Sequence, residues 1–326
     1  MTGLNGDSLR DLLTGIDSGA LGAPDVAIPT GFTPLDQVLM GGVRTGQLTI
    51  VGGRPGIGKT ILALQWARTF AIAGVPTAVV CYEHPPREVV ERLLAVEVRT
   101  SARPDEQVLV DAARDLVRRV VLVGEPLGTA AEQPLADEAI RRATHWGEHL
   151  RIAGGSGRAT DLAAIERIAQ TVGPGGVVIV DYLQKVPLHE HLRSDEERTL
   201  AVAEGLKDIA LQHNVAVVAT AAGDHDGITA RRLRIGDLRG SAALAHECDV
   251  AITLNEKMLA VSKVALAYNS ARSEQFQRQV VLSVEKNRSG PADMHLEFTK
   301  DFSSYRFDPD GSFLGEKLVD DVLYEQ

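Results

Sequence analysis

The segment that most constrains this chain is Gly53-Arg-Pro-Gly-Ile-Gly-Lys-Thr60, set between an apolar run, Gln47 to Gly52, and a helical run, Ile61 to Arg68. A G-x-x-x-x-G-K-[ST] pattern where a strand hands over to a helix is a phosphate-binding loop. Each residue type has a reason. Glycines let the backbone fold tightly and turn its N–H groups toward phosphate oxygens. The helix that follows adds the positive end of its dipole. Lys59 is placed for the β- and γ-phosphates, and the Thr60 hydroxyl for Mg²⁺. Gly53, Arg54, Pro55, Gly56, Ile57, Gly58, Lys59 and Thr60 are therefore the candidate nucleotide-binding residues, with ATP and Mg²⁺ as the expected ligands.

The rest of the chain supplies a sheet to carry that loop. Strand-like apolar runs recur at 47–52, 77–82, 149–153, 177–181, 215–220, 249–254 and 279–285. Helical patterns lie between several of them, at Thr60–Ala73, Pro86–Val98, Asp161–Thr171 with Thr160 as N-cap, and Arg198–Gln212. Strands alternating with helices imply an α/β fold with a mostly parallel central sheet flanked by helices. Met294–Phe307 reads as a terminal hairpin. Before the sheet, Ser8–Ile16 forms a short amphipathic helix with Leu9, Leu12, Leu13 and Ile16 on one face, and a Gly/Ala/Pro-rich linker follows. The expected divisions are helix and linker at 1–28, a nucleotide-binding domain at 29–308, and an acidic tail at 309–326. From Asp293 onward nine acidic residues face three basic ones, which predicts a solvated end.

Bulk properties narrow the function classes. The 326 residues contain no apolar run of the ~18 needed to cross a bilayer, so no membrane span is expected. The N-terminus lacks the basic and apolar regions of a signal peptide. Cys81 and Cys248 lie in or beside strand runs and read as buried thiols of a reducing, cytoplasmic compartment. A net charge of −10 argues against a general nucleic-acid coat but leaves room for a local basic loop.

Two carboxylates suit the chemistry of the loop. Val177-Val-Ile-Val-Asp181 is a buried strand ending in an acid, the Walker B pattern that holds a magnesium shell. Glu83 follows another strand run, Thr77 to Tyr82. It is either the base that orients an attacking water or an acid at a helix start before Pro85-Pro86.

With these words in order, the chain resembles the C-terminal motor of DnaB-type replicative helicases, a RecA-like fold of superfamily 4. Pro29-Thr-Gly-Phe-Thr-Pro-Leu-Asp36 looks like the opening of that domain. Tyr82-Glu-His-Pro85 is similar to its S-L-E-M-P segment, and Asp181-Tyr-Leu-Gln184 to its D-Y-L-Q. Gly236-Asp-Leu-Arg-Gly-Ser241 resembles D-L-R-E-S, and Lys286-Asn-Arg-Ser-Gly-Pro291 resembles K-Q-R-N-G-P. The resemblance implies that Glu83 is the catalytic glutamate and that Lys286 and Arg288 reach into the ATP site of a neighbouring subunit. On the residues alone, that pair also reads as a solvated turn. The resemblance further implies a homo-oligomeric ring, a hexamer, that acts on single-stranded DNA. The candidate DNA contacts are Arg231, Arg232, Arg234 and Arg239, a locally basic stretch that could also be an ordinary solvated loop.

Three departures from the family pattern stand out. Only about 28 residues precede the motor, so the collar domain is not expected and neither is a primase partnership. Ala221-Ala222 replaces the family's Ser-Gln at the end of the strand after Walker B, and an alanine methyl cannot hydrogen-bond phosphate or water. Gly240 replaces the acid of D-L-R-E-S, and the loop Gly223–Thr229 is acidic. The expected function is an ATP-driven helicase or translocase on single-stranded DNA. The alternative is a ring ATPase that has lost unwinding and serves as a nucleotide-controlled switch with a protein partner. A small-molecule kinase would have no need of a basic pair at Lys286 and Arg288.

Overall fold

Valine, isoleucine and alanine fill the strand runs, and strands apolar on both faces must be covered on both sides. The computed structural model describes residues 8–10, 25–127, 131–188, 194–261 and 273–319 and shows that arrangement. Of the expected N-terminal helix only Ser8, Leu9 and Arg10 are described, and Leu9 and Arg10 are helical; residues 11–16 lie outside the described residues.

A short antiparallel pair, β1 (Ala27–Ile28) with β2 (Val43–Arg44), flanks helix α1 (Thr33–Val38). The parallel strands are β3 (Leu48–Gly53), β4 (Thr77–Cys81), β5 (Leu150–Gly154), β6 (Val177–Asp181), β7 (Ala216–Ala222) and β8 (Val250–Glu256). Antiparallel strands β9 (Gln279–Asn287), β10 (Met294–Asp301), β11 (Arg306–Phe307) and β12 (Ser312–Phe313) extend one side. The order across the sheet is β11-β10-β9-β8-β3-β7-β6-β4-β5, with β12 also on β10. The fold class expected from the sequence is the one observed.

Alternation along each strand feeds two cores. Val51, Val79, Ile179 and Val218 pack with Trp66 and Phe70 of helix α2 (Lys59–Ile72) and with Val89 and Leu93 of α3 (Pro86–Ser101). Their neighbours Ile50, Ala78, Val178 and Val217 pack on the other face. There they meet Ile165 of α6 (Leu162–Val172) and Leu206 and Ile209 of α7 (Asp195–His213). Helices α4 (Gln107–Arg118) and α5 (Gln133–Gly147) form a third, smaller cluster around Leu94 and Val98.

Some boundaries differ from expectation. The cap of α6 is Asp161, whose carboxylate accepts the Ala164 N–H at 2.9 Å, and not Thr160, whose hydroxyl accepts from Ser156. Helix α7 starts before Arg198, because Ser194 and Glu197 form a reciprocal capping box. The segment after 308 is not simply solvated. Leu318 is fully buried against Ala260 and Val281, and Glu316 pairs at 3.0 Å with Lys257, which is itself buried. Its acid count concealed a few apolar residues that dock and one acid whose charge is neutralised.

One buried carboxylate binds the helical layer together. Glu97 of α3 is fully buried and accepts from Arg68 (2.6 Å), Trp146 Nε1 (2.9 Å) and Arg142 (3.0 Å). Burial alone would raise its pKa. The hydrogen bond and charge of Arg68, with Trp146 and Arg142, outweigh burial and hold the carboxyl below its ordinary value of 4.5. A lowered folded-state pKa contributes stability above the unfolded value, and that contribution is lost as pH falls through the folded one. Glu97→Ala leaves two arginines without their counter-charge and should cost about 3–5 kcal/mol in urea unfolding. Glu97→Gln should flatten the loss of stability that the parent chain shows below pH 4.5.

Candidate functional site

Parallel pairing aligns the strand ends. Gly53 pairs with Ala222 across β3 and β7, and Cys81 pairs with Asp181 across β4 and β6. Ligands of open α/β sheets bind at this carboxyl edge. The phosphate loop leaves β3 there, and α2 begins at Lys59. Gly58 has φ +102°, and a Cβ on it would lie 2.6 Å from Phe307 Cζ, so conformation and packing both require glycine. Phe302 and Phe307, edge to face at 5.3 Å, form the wall it rests on.

The expected groups converge. The Thr60 hydroxyl donates to Asp181 Oδ2 at 2.8 Å, and the Thr220 hydroxyl donates to Oδ1. The Lys59 ammonium donates to the carbonyls of Gly53 and Arg54, each at 2.9 Å, so it is folded back over its own loop. Burial lowers its pKa from the ordinary 10.5, while the charges of Asp181 and Glu83 pull it back up. Pro55, Gly56, Lys59, Thr60, Glu83 and Ala222 line one cleft of about 400 Å³. Glu83 stands two residues beyond the Cys81–Asp181 row, exposed to that cleft.

No cluster of three His, Cys, Asp or Glu side chains able to hold a metal exists among the described residues. One hydroxyl and one carboxylate, already touching, fit Mg²⁺ instead, which takes few protein ligands and completes its shell with water and phosphate. The loop fits a polyphosphate for the same local reason. Gly56 and Gly58 adopt positive φ at the start of a long helix.

Sequence reasoning missed His84 and Arg92, which line the cleft, and two residues beside it. His84, Arg92 and Tyr305 form a chain: His84 Nδ1 lies 3.2 Å from Arg92 and 3.0 Å from the Glu88 carboxylate, and Arg92 lies over the Tyr305 ring at 5.2 Å. Gln184 lies outside that cleft but touches its Ala222 wall. Its amide accepts the Ala222 N–H at 3.3 Å and donates to the Ala222 carbonyl at 3.5 Å and the Arg239 carbonyl at 3.3 Å. The signal for Gln184 was present in the D-Y-L-Q word but carried no role of its own.

Lys286 and Arg288 lie at the other edge. Lys286 pairs with Ala251, which pairs with Ile50, three residues before Gly53 and so about 10 Å back along the strand. Its ammonium donates to the carbonyls of Ala245 (2.7 Å), His246 (3.3 Å) and Cys248 (2.6 Å) at the end of helix Ser241–Glu247. Arg288 is half exposed and contacts Asp249 at 3.3 Å and the His246 carbonyl at 3.0 Å.

The four loop arginines separate. Arg234 and Arg239 are exposed, and Arg239 pairs with Asp195 at 2.9 Å. Arg231 donates to the Val261 carbonyl at 3.3 Å. Arg232 is 5% exposed and leaves the candidate DNA set, because a buried guanidinium cannot meet a phosphate backbone. Gly240 has φ +78°, and a Cβ there would lie 2.4 Å from Thr199 Cβ. Helix α7 packs so closely that an acid cannot occupy this position without moving it.

Cys81 adjoins Asp181, with Sγ 3.7 Å from Oδ2. Burial and that carboxylate push its thiol up to about 11. Burial also pushes Cys248 up to about 11. Both should therefore resist iodoacetamide at pH 8 in the folded chain and react together on unfolding, as read by mass spectrometry.

No helix among the described residues is long and apolar enough to cross a membrane. Residues 27–118 and 149–307 match the family model of the DnaB-like helicase C-terminal domain. The chain is similar to the replicative DNA helicase DnaB of Leifsonia xyli subsp. xyli, 27% identical over 267 residues, 81% of this chain and 52% of that protein. It is 25% identical over 300 residues to the replicative DNA helicase DnaB of Treponema pallidum, 91% of this chain and 60% of that one. It thus spans little more than half the length of these relatives. A solved structure of a DnaB-like replicative helicase and its interactions with primase superposes with a TM-score of 0.71 at 19% identity, covering 92% of this chain and 68% of that chain. At that identity the likeness concerns the fold.

Proposed function

This chain belongs to the DnaB-like helicase C-terminal domain family and has its RecA-like fold, and on that premise we propose that it is an ATP-hydrolysing ring motor that translocates on single-stranded DNA. We assign the motor to residues 29–308 and the linker to 1–28. One observation carries the reading: Lys59, Thr60, Asp181 and Glu83 meet at one cleft from three strand ends, while Arg288 stands at the opposite edge.

In this reading the loop amides and Lys59 hold the β- and γ-phosphates of ATP. Thr60 and Asp181 hold Mg²⁺, which when bound neutralises phosphate charge. Lys59 exchanges its two loop carbonyls for phosphate oxygens, a gain because a charged acceptor binds more strongly than a neutral one. Glu83 orients the attacking water and takes its proton. Arg288 cannot serve its own cleft from the far edge, so it completes the neighbouring subunit's site in a hexameric ring. An arginine in that role is worth ~10³–10⁵ in kcat. Arg231, Arg234 and Arg239 face the DNA backbone and bind it without reading bases.

Lys59→Ala should abolish ATP turnover; an active variant rejects the loop assignment. Arg288→Ala should bind ATP and turn it over at least ~10³-fold more slowly. Mixing it with Glu83→Gln subunits should restore part of the rate, because each supplies what the other lacks, and no restoration argues against action across subunits. Single-stranded DNA should stimulate the ATPase in a salt-sensitive way. A robust rate indifferent to DNA would favour the switch instead. Changing Arg231, Arg234 and Arg239 together to Ala should reduce the salt slope of single-strand binding by about 2, at ~0.7 per lost phosphate contact.

A further inference from the structure

Arg288 has a dedicated acceptor. Asp249 is 4% exposed and immediately precedes β8. Its Oδ1 accepts from Arg288 at 3.3 Å, and its carbonyl accepts the Arg288 N–H at 3.0 Å. Its Oδ2 accepts the Leu48 N–H at 2.8 Å and Lys207 Nζ at 2.7 Å. Leu48 is the first residue of β3, the strand that ends in the phosphate loop. A second tie runs in parallel, from Gln47 Nε2 to Ser289 Oγ at 2.7 Å.

Lys286 differs. Its ammonium has three donors, and three carbonyls at the end of helix Ser241–Glu247 take them. It caps that helix. Arg288, half exposed, keeps a free face beyond its two contacts.

We propose that Asp249 is a positioning residue for Arg288, a buried carboxylate that holds the guanidinium at the rim and ties its aim to the base of the phosphate-loop strand. This rests on the reading of Arg288 as acting on a neighbouring subunit. The chemistry favours it. A buried carboxylate with a lysine and a backbone amide on one oxygen has its other oxygen left for the arginine. The fork of Arg288 is then fixed before a phosphate arrives, which limits the freedom lost on reaching it. Lys207, 2.7 Å from Asp249 Oδ2, stays as its counter-charge when Arg288 turns toward phosphate. One rigid strand then carries the subunit's own loop at one end and the bracket of its finger at the other.

The test is a double-mutant cycle on the full chain, with ATP turnover, affinity for a fluorescent ATP analogue and melting temperature as readouts. Asp249→Asn should lower kcat roughly 10²-fold, the effect of an ångström-scale misplacement, with KM and analogue affinity unchanged. In an Arg288→Ala background the same change should have no further effect on kcat. Mixed with Glu83→Gln subunits, which carry an intact finger, Asp249→Asn subunits should regain turnover. An equal loss of kcat in both backgrounds, a raised KM, or no recovery in mixed rings would overturn the proposal and make Asp249 a support of its own β3. If Arg288→Ala alone leaves turnover intact, the finger itself is rejected and Asp249's role goes with it. If Arg288→Ala is slow and Asp249→Asn fully active, Asp249 alone is rejected. Should Asp249→Asn not fold, Asp249→Glu, with the charge kept on a longer arm, goes through the same cycle and should lose kcat without losing affinity.

Discussion

Strand β3 is buried at all six positions and paired in parallel on both sides, and that constraint determines where each functional group can stand. Parallel neighbours share one direction, so every loop with a chance at the chemistry leaves from the same edge. The phosphate loop, Asp181 and Glu83 meet because β6 and β4 end level with each other and within two residues of the end of β3, not because any pair is close in sequence. The antiparallel strand β9 breaks the pattern. It runs back past β8 and delivers Arg288 to the opposite edge. A single chain thus carries the phosphate-loop cleft at one edge of its sheet and Arg288 at the other.

The parts of this arrangement that were legible in the sequence are those with short-range signatures. Four β-branched residues before Asp181 specify a buried strand and its terminal acid together. The phosphate loop fixes its own glycines, as Gly58 illustrates: its positive φ and its contact with Phe307 leave no other residue possible. The helix and strand centres followed from periodicity. The ends did not, since Thr160 and Asp161 are both good caps, and only the chain's approach angle puts the Asp161 carboxylate over the Ala164 amide.

What was illegible depends on long-range contact. No element or role is assigned to residues 101–148 from sequence, yet Arg142 and Trp146 converge on Glu97 from about fifty residues away. Much of that stretch, residues 119–148, also lies outside the family match, so a stretch with no match to the family model is bound to a core that has one by a buried charge. Asp249 was likewise unremarkable in sequence, an acid between a cysteine and a strand. Its three partners, Leu48, Lys207 and Arg288, come from β3, α7 and the turn after β9. Arg232 is the opposite case. Its neighbours in sequence made it look like a surface cation, but the loop's path buries it.

The replacement of a polar pair by Ala221 and Ala222 appears in sequence as a loss of hydrogen-bonding capacity at the end of β7. The fold returns some of it from a neighbouring position. Gln184 follows Asp181 by three residues, and its amide spans the backbone of Ala222 and the carbonyl of Arg239. A polar group therefore still bridges the nucleotide edge and the arginine loop, although it acts through backbone rather than through a side chain at position 222. Arg54 of the phosphate loop adds a second bridge, donating to the Gly227 carbonyl at 3.3 Å in the same loop region. Both bridges depend on backbone position, so they respond to displacement of the loop as a body and not to the identity of the residue at 222. Contact between the two regions thus runs through Gln184 and Arg54 and the backbone, with no need of a polar side chain at 222.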